Sequence, residues 1–163
     1  MDVLIENIRI EKLISVVTET AQHLITKNNN QFEISNMAQG YQIFTDVLKV
    51  RQIILNLLSN AAKFTHNGTI TLTIQPFDKW IRFDVSDTGI GIKPEAISTI
   101  FNEFIQADVN ISRDYGGTGL GLAITRGLCT LLGGTVHVES KPNIGSTFYV
   151  KIPSNIGLKI SAF

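Results

Sequence analysis

Residues 46 to 64 restrict the fold more than any other stretch. Val47, Val50, Ile53, Ile54, Leu57, Leu58 and Ala61 recur with the 3.6-residue period of a helix, and Asp46 stands where an N-cap belongs. The apolar positions take up much of the circumference. Such a helix has to be packed on more than one side, which calls for a layered domain rather than a helix lying on a surface.

One stripe of this helix stays polar. Asn56, Asn60 and Lys63 are spaced i, i+4, i+7 and fall within about 60° on a helical wheel. The stripe is either a solvated face or a ligand-facing one. Solvated faces usually carry Glu, Lys and Gln, whereas each asparagine costs a helix roughly 0.5 kcal/mol against alanine. The asparagines therefore favour a ligand: an amide oxygen is a hard donor suited to Mg²⁺, and a nearby lysine pairs with phosphate.

The flanking chain alternates between helix and strand signals. Residues 9 to 27 read as a first helix, with Ile10, Leu13, Ile14, Val17, Ala21, Leu24 and Ile25 at helical spacing. Phe32 and Ile34 alternate with polar residues as in a short strand, and 41 to 45 can form another. After the His66-Asn67-Gly68 turn, residues 70 to 74 alternate strictly, Pro76 is expected to end that strand, and residues 80 to 86 form its hairpin partner. Pro94 opens a short helix through Ile100. A helix over 119 to 132 is closed by Gly133-Gly134, and strands follow over 135 to 140 and 147 to 152, with the tail after Pro153 peripheral. The sum is an α+β fold, a two-layer sandwich in which three principal helices cover one face of a mixed, mostly antiparallel sheet.

Length and composition set limits. A chain of 163 residues, 44% hydrophobic and 17% charged, fits one compact domain spanning 1–163 with its core over about 9–153. Fourteen basic residues balance 14 acidic ones, so no charge surplus points to nucleic acid or an anionic membrane surface. The single cysteine, Cys129, excludes a disulfide within the chain, which fits a reducing compartment. No apolar run approaches the ~18 residues of a membrane span, and the start lacks a basic n-region and a long apolar h-region, so no signal peptide is expected.

Two glycine motifs bracket a long polar segment. Asp87-Thr88-Gly89-Ile90-Gly91-Ile92 follows a strand directly; its glycines let the backbone turn tightly beside a ligand, and a carboxylate there can accept a hydrogen bond from the exocyclic amine of adenine. Gly116-Gly117-Thr118-Gly119-Leu120-Gly121-Leu122 leads into a helix, a natural phosphate site. It is neither a Walker A motif, lacking Gly-Lys-Ser/Thr, nor a Rossmann fingerprint, lacking an immediately preceding strand. Residues 105 to 118 between them are polar, with no clear period, and read as a functional loop.

These residues resemble the boxes of the histidine-kinase catalytic domain. Asn56-Leu57-Leu58-Ser59-Asn60-Ala61-Ala62-Lys63-Phe64 is similar to the N box, Asp87-Thr88-Gly89-Ile90-Gly91 to the G1 box and Phe101-Asn102-Glu103-Phe104 to the F box. Gly117 to Leu122 is similar to the G2 box and Gly145-Ser146-Thr147-Phe148 to the last glycine box. Any one box is a weak signal; five in order across 46 to 152 are very specific. The resemblance implies the Bergerat fold shared with gyrase, Hsp90 and the mismatch-repair ATPases.

Carried over by position, the resemblance implies ATP and Mg²⁺ as cofactors, with Asn60 ligating the metal and Asn56 close by. It implies that Lys63 contacts phosphate, that Phe64 lies beside the base, and that Asp87 reads the adenine amine while Gly89, Ile90, Gly91 and Ile92 pass along the base. Phe104 and Tyr115 would line the nucleotide site, residues 105 to 118 would form a lid, and Gly117, Thr118, Gly119, Leu120, Gly121 and Leu122 would meet the phosphates. Thr147 would sit behind the adenine, near Asp87. Asn56, Lys63 and Arg113 could support transfer. Gln106 stands where many members have an arginine that reaches the γ-phosphate, and Lys141-Pro142-Asn143-Ile144-Gly145 lacks an earlier glycine.

The ATPases of this fold place a glutamate one turn before the metal asparagine, as general base on water. Asn56 stands at that position here and cannot take a proton, so phosphoryl transfer to a docked imidazole is expected rather than fast hydrolysis. His23, His66 and His137 do not fit the family's acceptor motif. The acceptor is expected on a separate dimerisation hairpin, with a response regulator or receiver domain downstream, a homodimeric parent of hybrid type, a cytoplasmic location, and a monomeric fragment. The alternative is a degenerate nucleotide-binding module of the same fold; a mismatch-repair or chaperone ATPase and an anti-sigma-factor kinase fit less well.

Overall fold

The computed structural model describes residues 2–102 and 121–157. In chain order the elements are β1 (Glu6–Arg9), α1 (Ile10–Thr26), β2 (Gln31–Asn36), β3 (Gln42–Thr45), α2 (Val47–Phe64), β4 (Thr69–Phe77), β5 (Trp80–Asp87), α3 (Pro94–Ile97), α4 (Gly121–Leu131), β6 (Thr135–Lys141) and β7 (Gly145–Pro153). Five strands form the main sheet in the order β2-β4-β5-β7-β6. Only the β2–β4 pairing is parallel; β4–β5, β5–β7 and β6–β7 are antiparallel.

Period-two alternation divides this sheet cleanly. Ile70, Leu72 and Ile74 of β4, Ile81, Phe83 and Val85 of β5, and Phe148, Val150 and Ile152 of β7 are buried on one face. Against them pack α1, through Ile10, Leu13, Val17, Ala21 and Ile25, and α2, through Val50, Ile53, Ile54, Leu57, Leu58, Ala61 and Ala62. Helix α2 lies between α1 and α4 and touches both, which explains why so much of its circumference is apolar. The opposite sheet face carries polar chains and rings: Arg82 is bonded to Asp84 at 2.9 Å and lies over Tyr149, and Lys151 Nζ sits 4.4 Å from the centroid of Trp80.

The ends of the helices follow local chemistry. Asp46 caps α2 by accepting from the Lys49 N–H, and it also accepts from the Leu4 N–H at 3.0 Å and Lys49 Nζ at 2.7 Å. Burial alone would raise its pKa, but these donors outweigh burial and hold the carboxyl below its ordinary value. Past α4, Gly133 takes φ +82. Gly134 N–H bonds Cys129 O and Gly133 N–H bonds Thr130 O, the paired bonds of a Schellman closure at the expected glycines.

Four expectations are corrected. Pro76 does not end its strand: β4 continues to Phe77, with Pro76 opposite Ile81. Strand β2 stops at Asn36 opposite Ile74, so β4 has one neighbour beyond that point, and proline is tolerated at an edge. Residues 6–9 form β1, antiparallel to β3. Helix α3 ends at Ile97, and successive three-residue turns carry the chain to Asn102. The tail is not peripheral as far as Ile156, which is buried in the core, while Ser154 O accepts from Phe44 N–H.

Candidate functional site

Helix α2 delivers one wall. Asn56 and Asn60 are half-buried and Lys63 is exposed, on the strip of α2 that its apolar packing leaves open. Among the described residues Asn60 and Lys63 have no hydrogen-bond or ion-pair partner, so an amide and an ammonium stand ready for an external ligand. Asn56 is engaged: its Nδ2 lies 3.5 Å from Gly121 O and 3.5 Å from Thr125 Oγ1, at the start of α4.

The end of β5 delivers the second wall. Asp87 is 8% exposed, because the sheet hydrogen-bonds its strand on both sides and α2 covers the face it points toward. Its Oδ1 accepts from the Gly89 N–H at 2.9 Å. Burial is the main influence on the carboxyl and raises its pKa, opposed by the N–H groups of Gly89 and Ser146 and by the nearby Thr65 hydroxyl. The Thr65 hydroxyl is buried and close enough to favour the charge, yet it closes no well-formed hydrogen bond. Among the described residues no cation pairs with it, and a buried unpaired carboxylate is costly, which points to a ligand donor.

The turn after Asp87 is tied to three other elements. Ile90 N–H donates to Phe64 O at 3.1 Å, joining it to the last residue of α2; Asn143 N–H donates to Ile90 O at 2.6 Å, joining it to the β6–β7 hairpin. Ile92 N–H donates to Ser140 Oγ at 2.7 Å, and Thr88 Oγ1 accepts from Thr69 N–H at 3.0 Å. The close approach demands glycine: a Cβ on Gly89 would lie 2.1 Å from Phe64 O. An open cleft of about 520 Å³ lies here, lined by Phe64, His66, Thr88, Gly89, Ile90 and Asn143.

The structure thus brings together the polar stripe of α2, Phe64, the Asp87–Ile92 turn, and Gly121 and Leu122 at the start of α4. Phe104, Gln106, Arg113, Tyr115, Gly117, Thr118, Gly119 and Leu120 lie outside the described residues. Thr147 is a correction. It pairs with Ser86, their hydroxyls 2.9 Å apart, and so sits on the sheet face opposite Asp87. Ser146 is the register partner of Asp87 and shares its face, 7% exposed. Sequence reasoning missed Ser146, Thr65 and Thr125, since only strand register and helix packing single them out.

The residues fit a magnesium nucleotide. The buried carboxylate can accept from an amine, the stripe supplies hard amide oxygens and one ammonium, and the missing Cβ of Gly89 leaves the turn close against α2. A divalent ion held here by an amide oxygen would take its other ligands from phosphate and water.

Known proteins share this fold. The family model described as "Histidine kinase-, DNA gyrase B-, and HSP90-like ATPase" matches residues 45–156. Hybrid signal transduction histidine kinase B of Dictyostelium discoideum is 45% identical over 116 residues, covering 68% of this chain and 6% of that protein. The full-length structure of ShkA in complex with AMPPNP superposes with a TM-score of 0.84 at 32% identity, covering 94% of this chain and 32% of that one. The nucleotide-free catalytic domain of the histidine kinase ThkA superposes with a TM-score of 0.82 at 27% identity, covering 94% of this chain and 98% of that one. The chain spans between 6% and 18% of the length of the first curated relatives it matches.

Proposed function

This chain belongs to the histidine kinase-, DNA gyrase B- and HSP90-like ATPase family, and from that premise we propose that it binds Mg²⁺–ATP and donates the γ-phosphoryl group to a histidine on a separate dimerisation domain. The relatives are histidine kinases, hybrid kinases among them. The observation that carries the reading is the Phe64 O–Ile90 N hydrogen bond of 3.1 Å, which fastens the end of the polar helix to the turn bearing Asp87 and so sets metal-binding and base-reading groups side by side.

Each residue then has a task. Asp87 accepts from the exocyclic amine of adenine while Phe64 lies beside the ring. Asn60 holds Mg²⁺, which when bound neutralises charge on the phosphates. Lys63 adds a positive charge near them, and the start of α4 at Gly121 and Leu122 offers backbone N–H groups to phosphate oxygens. An attacking imidazole nitrogen forms the new P–N bond as the bond between the γ-phosphorus and the bridging oxygen breaks, leaving ADP; the chain's part is positioning and charge stabilisation. Asn56 cannot accept a proton from water, so hydrolysis is slow. The superposition covers 94% of this chain and 98% of the ThkA catalytic domain, which supports reading residues 1–163 as one catalytic domain; the proposal further takes it as monomeric by itself and as part of a homodimeric cytoplasmic parent that passes phosphate to a response regulator or receiver domain. No helix among the described residues is long and apolar enough to cross a membrane.

Mixing this domain with a separately produced dimerisation hairpin, Mg²⁺ and γ-labelled ATP is expected to give acid-labile phosphate on the hairpin and little free phosphate without it. Measurable ATP binding with no transfer would replace this reading with a degenerate nucleotide-binding module.

A further inference from the structure

Thr125 is fully buried, 0% exposed, one turn into α4. Its hydroxyl donates to Gly121 O at 2.9 Å, so its only proton is spent and its lone pairs remain. Thr20, Thr26 and Thr130 make the same backward bond to the carbonyl four residues earlier, but all three are exposed. A threonine that only back-bonds gains nothing from burial, and valine would fill the same volume without a polar atom. Thr26 adds only a second carbonyl of its own helix, His23 O at 3.4 Å; Thr125 alone among these four is met by a side chain of another helix, the Asn56 amide.

That neighbour has two possible faces, an NH₂ donor and a carbonyl acceptor. Gly121 O can only accept, and Thr125 Oγ1 has no proton left to give. The NH₂ end must therefore face α4, with Nδ2 3.5 Å from both acceptors. The contacts are long, so the amide is oriented rather than clamped, and the carbonyl oxygen is turned away from α4.

We propose that Thr125 is a positioning residue: by accepting from Asn56 Nδ2 it presents the Asn56 carbonyl oxygen to the stripe shared with Asn60, where it supports Mg²⁺ carried by the nucleotide, directly or through a metal-bound water. The inference rests on reading Asn60 as the metal ligand. It makes the start of α4 and the metal face of α2 one unit.

The test is calorimetric binding of ADP to the whole chain, with Mg²⁺ and in EDTA. Thr125→Val is expected to lose about three- to tenfold of the affinity that Mg²⁺ adds, the worth of one neutral hydrogen bond, with affinity in EDTA unchanged; Thr125→Ser restores the Mg²⁺ response. In an Asn56→Ala background Thr125→Val adds no further loss. If the valine variant does not fold, Thr125→Ala is read in the same way. A native Mg²⁺ response in the folded variant, or equal losses with and without the metal, overturns the role of Thr125. Asn60→Ala separates the two readings: if it too keeps the native Mg²⁺ response, the metal face itself is wrong; if it loses that response while Thr125→Val keeps it, Thr125 alone is wrong.

Discussion

Replacing Asp87 by asparagine is expected to make the domain more stable and a poorer ATP binder at once. The carboxylate is 8% exposed and its main burden is burial, which raises its pKa above the ordinary 3.8. An amide of the same shape keeps an oxygen for the Gly89 and Ser146 N–H groups without bringing a charge into the core. Removing that cost should raise unfolding stability by about 1 kcal/mol, a common yield where an active site has been kept at the expense of stability. ATP affinity should fall about 10- to 100-fold, the worth of a hydrogen bond to a charged group, while GTP, which offers a carbonyl where adenine offers an amine, should lose far less. Paired melting and nucleotide titrations check both halves; equal losses for ATP and GTP would sink the adenine assignment.

The same shift fixes the direction of the pH dependence. A carboxyl with a raised folded-state pKa contributes stability when protonated, fully below the unfolded value of 3.8, and that contribution disappears as pH rises through the folded value. Wild-type ATP affinity should therefore decline on acidification at a pH above the range where an ordinary aspartate titrates. The asparagine variant should lack that step.

Gly145→Ala is expected to damage fold and site together. Gly145 holds φ +146, and a Cβ there would lie 2.0 Å from Asp87 O and 3.1 Å from Thr88 Cα. Both neighbours are backbone, so relief requires β5 and β7 to separate where Asp87 pairs with Ser146. Strain and displaced pairing together should cost about 3 kcal/mol, read as a lower urea midpoint, and nucleotide affinity should fall because the carboxylate moves. An unfolding free energy within about 0.5 kcal/mol of wild type, the range of an ordinary surface change, would mean the strands absorb the methyl and that the glycine is not required here.

Helix α2 was legible to its ends because one periodic pattern and one capping aspartate determine it locally. Asp87 and its glycines were legible because a turn motif after an alternating strand is also local. Ser146 was not. Its exchange with Thr147 is a one-residue question of which side chain shares a face with Asp87, and only the β5–β7 register answers it. Strand β1 was missed because Glu-Asn-Ile-Arg has little strand propensity; it is strand only through pairing with β3. Pro76 misled because proline ends strands that have two neighbours, and β4 has already lost one. Thr125 carries no signal in one dimension, since its second partner lies 69 positions away.

The moorings of the Ile90 segment bear on how recognition is divided along the ligand. With Phe64, Asn143 and Ser140 already holding that backbone, capturing the purine asks little further ordering of the protein on that side, and the entropic toll of the encounter falls on the incoming molecule. On the proposed reading, discrimination between bases is then a matter of fit to a backbone already tied in place.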